Sequence, residues 1–118
     1  MIKFLWVFRY PEGVSIEEGD RWYLGTHARQ GKVAPGLKKY QTWRVLDVPE
    51  RPTQSVRVTE LWWDSLDSWR KGSLQEMTKL QTAAPWGRVG FEGSGLIAEP
   101  VCINIEPEYD LMREIPTV

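Results

Sequence analysis

Residues 2–10 most strongly limit how this chain can fold. Their sequence, IKFLWVFRY, is dense in aromatic and β-branched residues, which favour a β-strand. Side chains alternate between the two faces of a strand, so four large apolar groups would share one face: Ile2, Phe4, Trp6 and Phe8. Leu5 and Val7 would make the opposite face apolar as well. Both faces being apolar indicates that protein covers both of them.

The rest of the chain predicts two helices and three more strands. A capping-box pattern at residues 15–18 begins a helix that we expect over residues 16–30. A second helix, capped by Asp64 or Ser65, is expected over residues 66–83. Apolar segments rich in β-branched residues indicate strands at three places: residues 38–48, 55–63 and 96–105.

The segment after the second helix contains a glycine-rich stretch and a proline within the last predicted strand. Residues 85–95 are rich in glycine and are expected to form a loop that could fold over a ligand. Pro100 restricts the last strand to a sheet edge or a bulge. Residues 106–118 show no pattern that predicts an element.

The order β-α-β-β-α-β is typical of the ferredoxin-like α+β fold, a four-stranded antiparallel sheet with both helices on one face. The 118 residues fit one domain, spanning 1–118. The second sheet face would be wet in a monomer, which conflicts with a first strand that is apolar on both sides. A second copy of the chain would cover that face, so we expect a homodimer or a larger assembly.

Composition excludes several classes of function. The net charge is −1 and no segment is a basic block, so nucleic acid is not an expected partner. The N-terminal apolar run contains Lys3 and Arg9, which makes it too interrupted for a signal peptide or a membrane span. We therefore expect a cytoplasmic protein. The single cysteine, Cys102, excludes an internal disulfide, and a small core position suits it better than a nucleophilic role.

The segment His27 to Tyr40, HARQGKVAPGLKKY, resembles the signature of the EthD-like family of the dimeric α+β barrel superfamily. The signature is a helix ending in a histidine, then Pro-Gly-Leu, then a tyrosine that opens the second strand. The match covers residues 1–45, and beyond Trp43 only the order of elements agrees. Relatives include muconolactone-type isomerases and small polyketide cyclases. The resemblance implies a cleft between helices and sheet, usually without a metal or an organic cofactor.

The resemblance also implies that His27 and Tyr40 move a proton on a small cyclic substrate. The residue chemistry is compatible, since histidine is the only side chain whose ordinary pKa, about 6.5, lies near neutrality. Taken alone, His27 is better explained by a buried histidine bonded to a backbone carbonyl, and its spacing to Tyr40 shifts the balance toward a functional role. Tyr40 could donate to a substrate oxygen or could simply fill the mouth of the sheet. A metal on His27 with Glu60 or Asp20, or a haem on His27, is the less favoured alternative.

Six further residues are candidates for substrate binding: Arg9, Tyr23, Arg44, Glu60, Trp6 and Trp62. The arginines could hold a carboxylate bidentately. Glu60 interrupts an apolar strand face and would either act as a second acid–base group or pair with one of those arginines. Asp20 is expected to face water. The seven tryptophans could line a pocket for a flat ligand or could form the core and a dimer interface.

Two functions from different classes follow. The first is a cofactor-independent enzyme of the isomerase, cyclase, dehydratase or lyase type that acts on a small cyclic or aromatic-derived carbonyl compound. The second is a non-catalytic protein that binds or sequesters a hydrophobic small molecule in a tryptophan-rich pocket.

Overall fold

The first strand lies inside the sheet and pairs on both edges. The computed structural model describes residues 1–87 and 89–99. The sheet is antiparallel, with strand order β2-β3-β1-β4. Its strands have the following bounds: β1 Ile2–Arg9, β2 Leu37–Arg44, β3 Arg57–Trp63 and β4 Glu92–Ala98. The predicted four-stranded ferredoxin-like α+β fold is confirmed.

The first helix, α1, begins and ends within a residue of its predicted bounds. It consists of an α-helical segment Ile16–Trp22, a π-helical segment Tyr23–His27 and an α-helical segment Ala28–Gly31. The Ser15 hydroxyl accepts a hydrogen bond from the backbone N–H of Glu18 at 3.1 Å, which caps the helix. The wider π-helical turn places one residue more in the helix than an α-helix of the same length would hold.

The second helix, α2, is built in the same way. Its three segments are Leu66–Trp69, the π-helical Arg70–Met77 and Thr78–Leu80. Ser65 and Ser68 form a reciprocal capping box at its start. The helix ends three residues before the predicted Ala83, because the backbone turns to an extended conformation at Gln81.

The core lies between the helices and one sheet face, in two aromatic-rich clusters. The first contains Ile2, Ala34, Leu61, Trp63 and Met77. The second contains Phe8, Tyr10, Trp22, Tyr23 and Ala84. Alternate residues of β3 are buried from Arg57 to Trp63, so this strand contributes a polar pair, Arg57 and Thr59, as well as apolar side chains.

The opposite sheet face is not covered by either helix. Strand register puts Val7, Val58 and Trp43 in one row across β1, β3 and β2. Leu5 and Leu96 are neighbours in the next row. The exposed fraction is 40% for Val7, 45% for Trp43 and 57% for Leu96. The predicted two-sided apolar character of β1 is therefore present, with its second side open in the single chain.

Two predicted strand boundaries were wrong. The second strand ends at Arg44, not at residue 48. The fourth begins at Glu92, inside the segment 85–95 that we expected to be a loop. Gly95 lies so close to the rings of Phe4 and Trp6 that a Cβ atom would collide with them, and this proximity explains glycine in a strand.

The predicted end of the last strand, with Pro100, Cys102 and the tail 106–118, lies outside the described residues. Within the part of the chain that the structure describes, no helix is long and apolar enough to cross a membrane.

We expect Gly72→Ala to destabilise the protein and Gly25→Ala to stabilise it. A Cβ at Gly72 would collide with the Trp63 ring and the Pro35 carbonyl oxygen, and such overpacking costs about 1–3 kcal/mol. A Cβ at Gly25 would meet no atom within 4 Å outside its own stretch of helix. Alanine there should therefore raise the free energy of unfolding by roughly 0.5–1 kcal/mol, because alanine favours the helix more than glycine does. Urea unfolding measures both changes. Equal effects of the two substitutions would contradict the close packing of α2 on Trp63.

Candidate functional site

A cavity of about 270 Å³ lies between the two helices and the sheet. Its size is just below the range of about 300–1,000 Å³ typical of ligand pockets. Most of the lining is apolar or aromatic, with hydroxyl, amide and imidazole groups at a few points. The lining includes Trp6, Tyr23, His27, Tyr40, Thr59, Gln81 and Phe91. A larger but shallower cleft, of about 510 Å³, lies around Trp22 and Trp86 and contains neither His27 nor Tyr40.

His27 ends the π-helical segment of α1 and is surrounded by aromatic rings. Its ring centroid is 4.8 Å from that of Trp22, 5.4 Å from that of Tyr23 and 5.2 Å from that of Phe91. Burial removes water that would solvate the imidazolium ion, which lowers the pKa of His27 to about 4. The imidazole is therefore neutral at pH 7.

Gln81 determines which nitrogen of His27 carries the hydrogen. The Gln81 side-chain nitrogen lies 3.2 Å from the backbone oxygen of His27 and 3.2 Å from its ring Nε2. A carbonyl oxygen can only accept, so the amide group donates to it, and the same NH₂ group donates its second hydrogen to Nε2. The ring hydrogen is then on Nδ1, which is buried and has no hydrogen-bond partner among residues 1–87 and 89–99.

The Tyr40 hydroxyl belongs to a chain of hydroxyl groups that runs through Tyr23 to two threonines of the sheet. The two tyrosine oxygens are 2.9 Å apart, and the Tyr23 oxygen is 2.6 Å from Thr59 Oγ1. Thr59 continues this chain to Thr42 Oγ1 at 3.1 Å. Burial raises the pKa of both Tyr23 and Tyr40 above the ordinary value, so both hydroxyls keep their protons at neutral pH.

An ion pair between a buried arginine and a partly buried aspartate lies next to this hydroxyl chain. The Arg57 side chain is 7% exposed, and its Nη2 lies 3.0 Å from Asp20 Oδ1. Tyr10 donates to the same carboxylate oxygen at 2.6 Å, and Arg57 Nη1 donates to Thr42 at 3.3 Å. The prediction that Asp20 faces water was wrong. Its carboxylate compensates a buried guanidinium that would otherwise be strongly unfavourable.

Four of the eight predicted site residues share the cavity: Trp6, Tyr23, His27 and Tyr40. The remaining four lie elsewhere. Arg44 is exposed at the end of β2. Arg9, Glu60 and Trp62 belong to the sheet face that the helices do not cover.

Those three residues have partners on the open face. Glu60 pairs with Lys3 at 3.2 Å and accepts from Trp62 Nε1 at 3.2 Å, so its expected pairing with Arg9 or Arg44 was wrong. Arg9 pairs with Glu92 at 3.5 Å. The polar groups of these three side chains therefore have partners within the chain and need no ligand.

The tryptophans are divided among the cavity wall, the core, the open sheet face and the cleft at Trp22 and Trp86. Among the described residues, Trp6 is the one tryptophan that lines the His27 cavity. Trp63 is fully buried in the core, and Trp43 is on the open face. The aromatic lining comes mostly from tyrosine and phenylalanine instead.

No protein-family model matches the chain, and no curated protein matches its sequence. Within the described ranges, no three His, Cys, Asp or Glu side chains are grouped so that they could hold a metal ion.

Solved structures do resemble it. An EthD family protein from Bacillus halodurans aligns with a TM-score of 0.63 at 19% identity, covering 85% of this chain and 98% of that one. This chain has the fold of the EthD proteins. Identity this low shows the fold alone, and the likeness to the EthD-like family is confirmed at that level.

Two further structures share the fold. SnoaB, a cofactor-independent oxygenase from Streptomyces nogalater, aligns with a TM-score of 0.58 at 14% identity, covering 91% of this chain and 97% of that one. A variant of MhuD with two manganese protoporphyrin IX molecules bound per active site aligns with a TM-score of 0.62 at 16% identity, covering 91% and 100%. The same fold therefore accompanies different chemistries, and the function of this chain must be argued from its own cavity.

The burial of His27 predicts a pH dependence of stability. As pH falls below 6.5, an unfolded chain gains a proton on its histidine, whereas the folded chain stays neutral until about pH 4. The unfolded state is thereby favoured, so the free energy of unfolding should fall by about 2 kcal/mol between pH 7 and pH 5. Urea unfolding of wild type and His27→Gln isolates this contribution, because the chain has one histidine. Equal pH dependence in both proteins would show that His27 is solvated.

Proposed function

We propose that this protein catalyses proton transfer on a small, largely apolar cyclic carbonyl compound bound in the His27 cavity, without a cofactor. The observation that carries the proposal is the desolvated, neutral imidazole in the wall of an apolar cavity, beside two connected tyrosine hydroxyls. The shared fold with EthD proteins and with a cofactor-independent oxygenase supports a role in processing small molecules.

His27 is the proposed acid–base group. It takes a proton from the carbon next to the substrate carbonyl at Nε2, displacing the hydrogen bond from Gln81. The C–H bond breaks, an N–H bond forms, and the substrate becomes an enolate. The imidazolium then returns the proton to a different carbon or to the oxygen. This second transfer completes an isomerisation or prepares an elimination or cyclisation.

The low pKa of His27 is compatible with this role. A pKa of about 4 makes protonation at pH 7 unfavourable by three units, about 4 kcal/mol, in the absence of a ligand. An enolate in contact with the imidazolium offsets that cost, because an opposite charge in a dry site favours the charged form. Tyr40, whose hydroxyl borders the same cavity, positions a substrate oxygen.

We expect the wild-type protein to catalyse exchange of the α-hydrogens of 2-indanone with solvent deuterium, followed by mass spectrometry in D₂O. This reaction needs only the proposed proton transfer, so it can be measured without the physiological substrate. Loss of the acid–base group in His27→Ala should lower the catalysed rate at least about 100-fold.

Arg29→Ala provides the matched control, since Arg29 is exposed on the same helix two residues further on. It should retain the wild-type rate. Exchange that survives in His27→Ala would refute the role of His27. Binding of 2-indanone without any catalysed exchange would favour the alternative, a non-catalytic protein that binds a hydrophobic small molecule in the same cavity.

We further propose that two copies of the chain pair through the open sheet face. The support is the row Val7, Val58 and Trp43, together with Leu96, all on a face that neither helix covers. Apolar patches of this kind commonly mark a protein interface. The Lys3–Glu60 ion pair on the same face is already internally neutralised, so burying it leaves no unpaired charge.

Sedimentation at micromolar concentration should give about twice the chain mass of 13.7 kDa. Leu96→Arg introduces a charge into the open face and should give the monomer. Val33→Arg, at a site 64% exposed after α1, should remain dimeric. A wild-type protein that sediments as a monomer, or variants that behave alike, would exclude this interface.

A further inference from the structure

The hydroxyl groups beside the cavity form a chain with a defined direction. Thr42, Thr59, Tyr23 and Tyr40 are joined in that order, with successive oxygens 3.1, 2.6 and 2.9 Å apart. Each hydroxyl has one hydrogen to donate. The direction of the first hydrogen bond therefore determines the direction of every later one.

Thr42 fixes the first direction. Its Oγ1 lies 3.1 Å from the backbone oxygen of Val58 and 3.3 Å from Arg57 Nη1. A carbonyl oxygen can only accept, and a guanidinium can only donate. Thr42 therefore donates its hydrogen to Val58, and its oxygen accepts from Arg57.

The remaining directions follow. Since the Thr42 hydrogen is used, Thr59 donates to Thr42 and Tyr23 donates to Thr59. Tyr40 then donates to Tyr23. This order makes four hydrogen bonds with four hydrogens. The reverse order makes one bond fewer, because it gives up the bond to the Val58 carbonyl and leaves the Tyr40 hydrogen unused within the chain.

We propose that Tyr40 acts as a hydrogen-bond acceptor toward the ligand, so that the ligand presents a phenolic or enolic hydroxyl to it on an otherwise apolar ring. The proposal rests on the proposed function in taking the His27 cavity as the ligand site. It specifies the substrate class further, since the Tyr40 hydrogen is already donated to Tyr23 and an oxygen lone pair remains.

Three probes of similar shape test the proposal on the intact protein by equilibrium dialysis. 4-Ethylphenol offers a hydrogen-bond donor, 4-ethylanisole offers only an acceptor, and 4-ethyltoluene offers neither. Tyr40→Phe should weaken the binding of 4-ethylphenol about 2- to 10-fold, as expected for the loss of one net hydrogen bond. The affinities of the other two probes should stay unchanged. A loss of 4-ethylanisole affinity as large as that of 4-ethylphenol, or no loss of either, would overturn the proposal.

Thr42→Val tests the direction of the chain while leaving Tyr40 in place. The variant removes the hydroxyl that is held by Arg57 and Val58, so the other three hydroxyls can reverse. The affinity for 4-ethylanisole should then rise relative to that for 4-ethylphenol. This ratio is measured within one protein, so a general loss of stability cancels. An unchanged ratio would show that Thr42 does not set the direction and would overturn the proposal.

These outcomes are separable from failure of the proposed function. Binding without the expected selectivity overturns the acceptor role of Tyr40 alone and leaves the exchange experiment on His27 unaffected. No binding of any probe to the wild type would overturn the use of the cavity itself, on which both proposals depend.

Discussion

The ion pair between Arg57 and Asp20 joins the first helix to the sheet, and the hydroxyl chain beside the cavity depends on it. Arg57 belongs to the sheet and Asp20 to the first helix, and Tyr10, just after the first strand, donates to the same carboxylate. The Arg57 guanidinium could not remain buried without Asp20, because an unpaired ion inside a protein costs several kcal/mol. The same guanidinium donates to Thr42, so the pair that joins helix to sheet also orders the hydroxyls beside the cavity.

Local patterns in the sequence predicted much of the fold. Alternation identified the first strand, and the Ser15 cap placed the first helix to within a residue. The resemblance to the EthD-like family singled out His27 and Tyr40, which share the cavity. What was missed depends on contacts between distant segments. Gln81 reaches His27 across 54 residues, and no property of a glutamine near a helix end reveals such a partner. The glycines of the fourth strand suggested a loop. The close approach of Gly95 to two aromatic rings, and of Gly93 to the first strand, is visible only in three dimensions.

The aromatic residues of the sheet have different roles on its two faces. On the helix side, Phe8 and Trp63 are packed tightly, while Trp6 and Tyr40 border a space that the core leaves unfilled. On the other side, Trp43 extends from a face without a cover in the single chain. The sequence could not separate these two roles of tryptophan. Strand alternation assigns a residue to one face of the sheet, but it does not say which face other elements cover. Burial and register together separate them.

The π-helical segment Tyr23–His27 has a consequence for how such a site can arise. A π-helical turn holds one residue more than an α-helical turn, so the extra residue is absorbed within it and the helix beyond keeps its orientation. The side chains inside the turn are the ones whose positions depend on that residue, and His27 is the last of them. Deleting a single residue from this turn, such as Gly25, would restore the α-helix and change which side chains face the cavity. The length of one turn therefore controls the lining of the cavity while the flanking helical segments keep their contacts with the sheet.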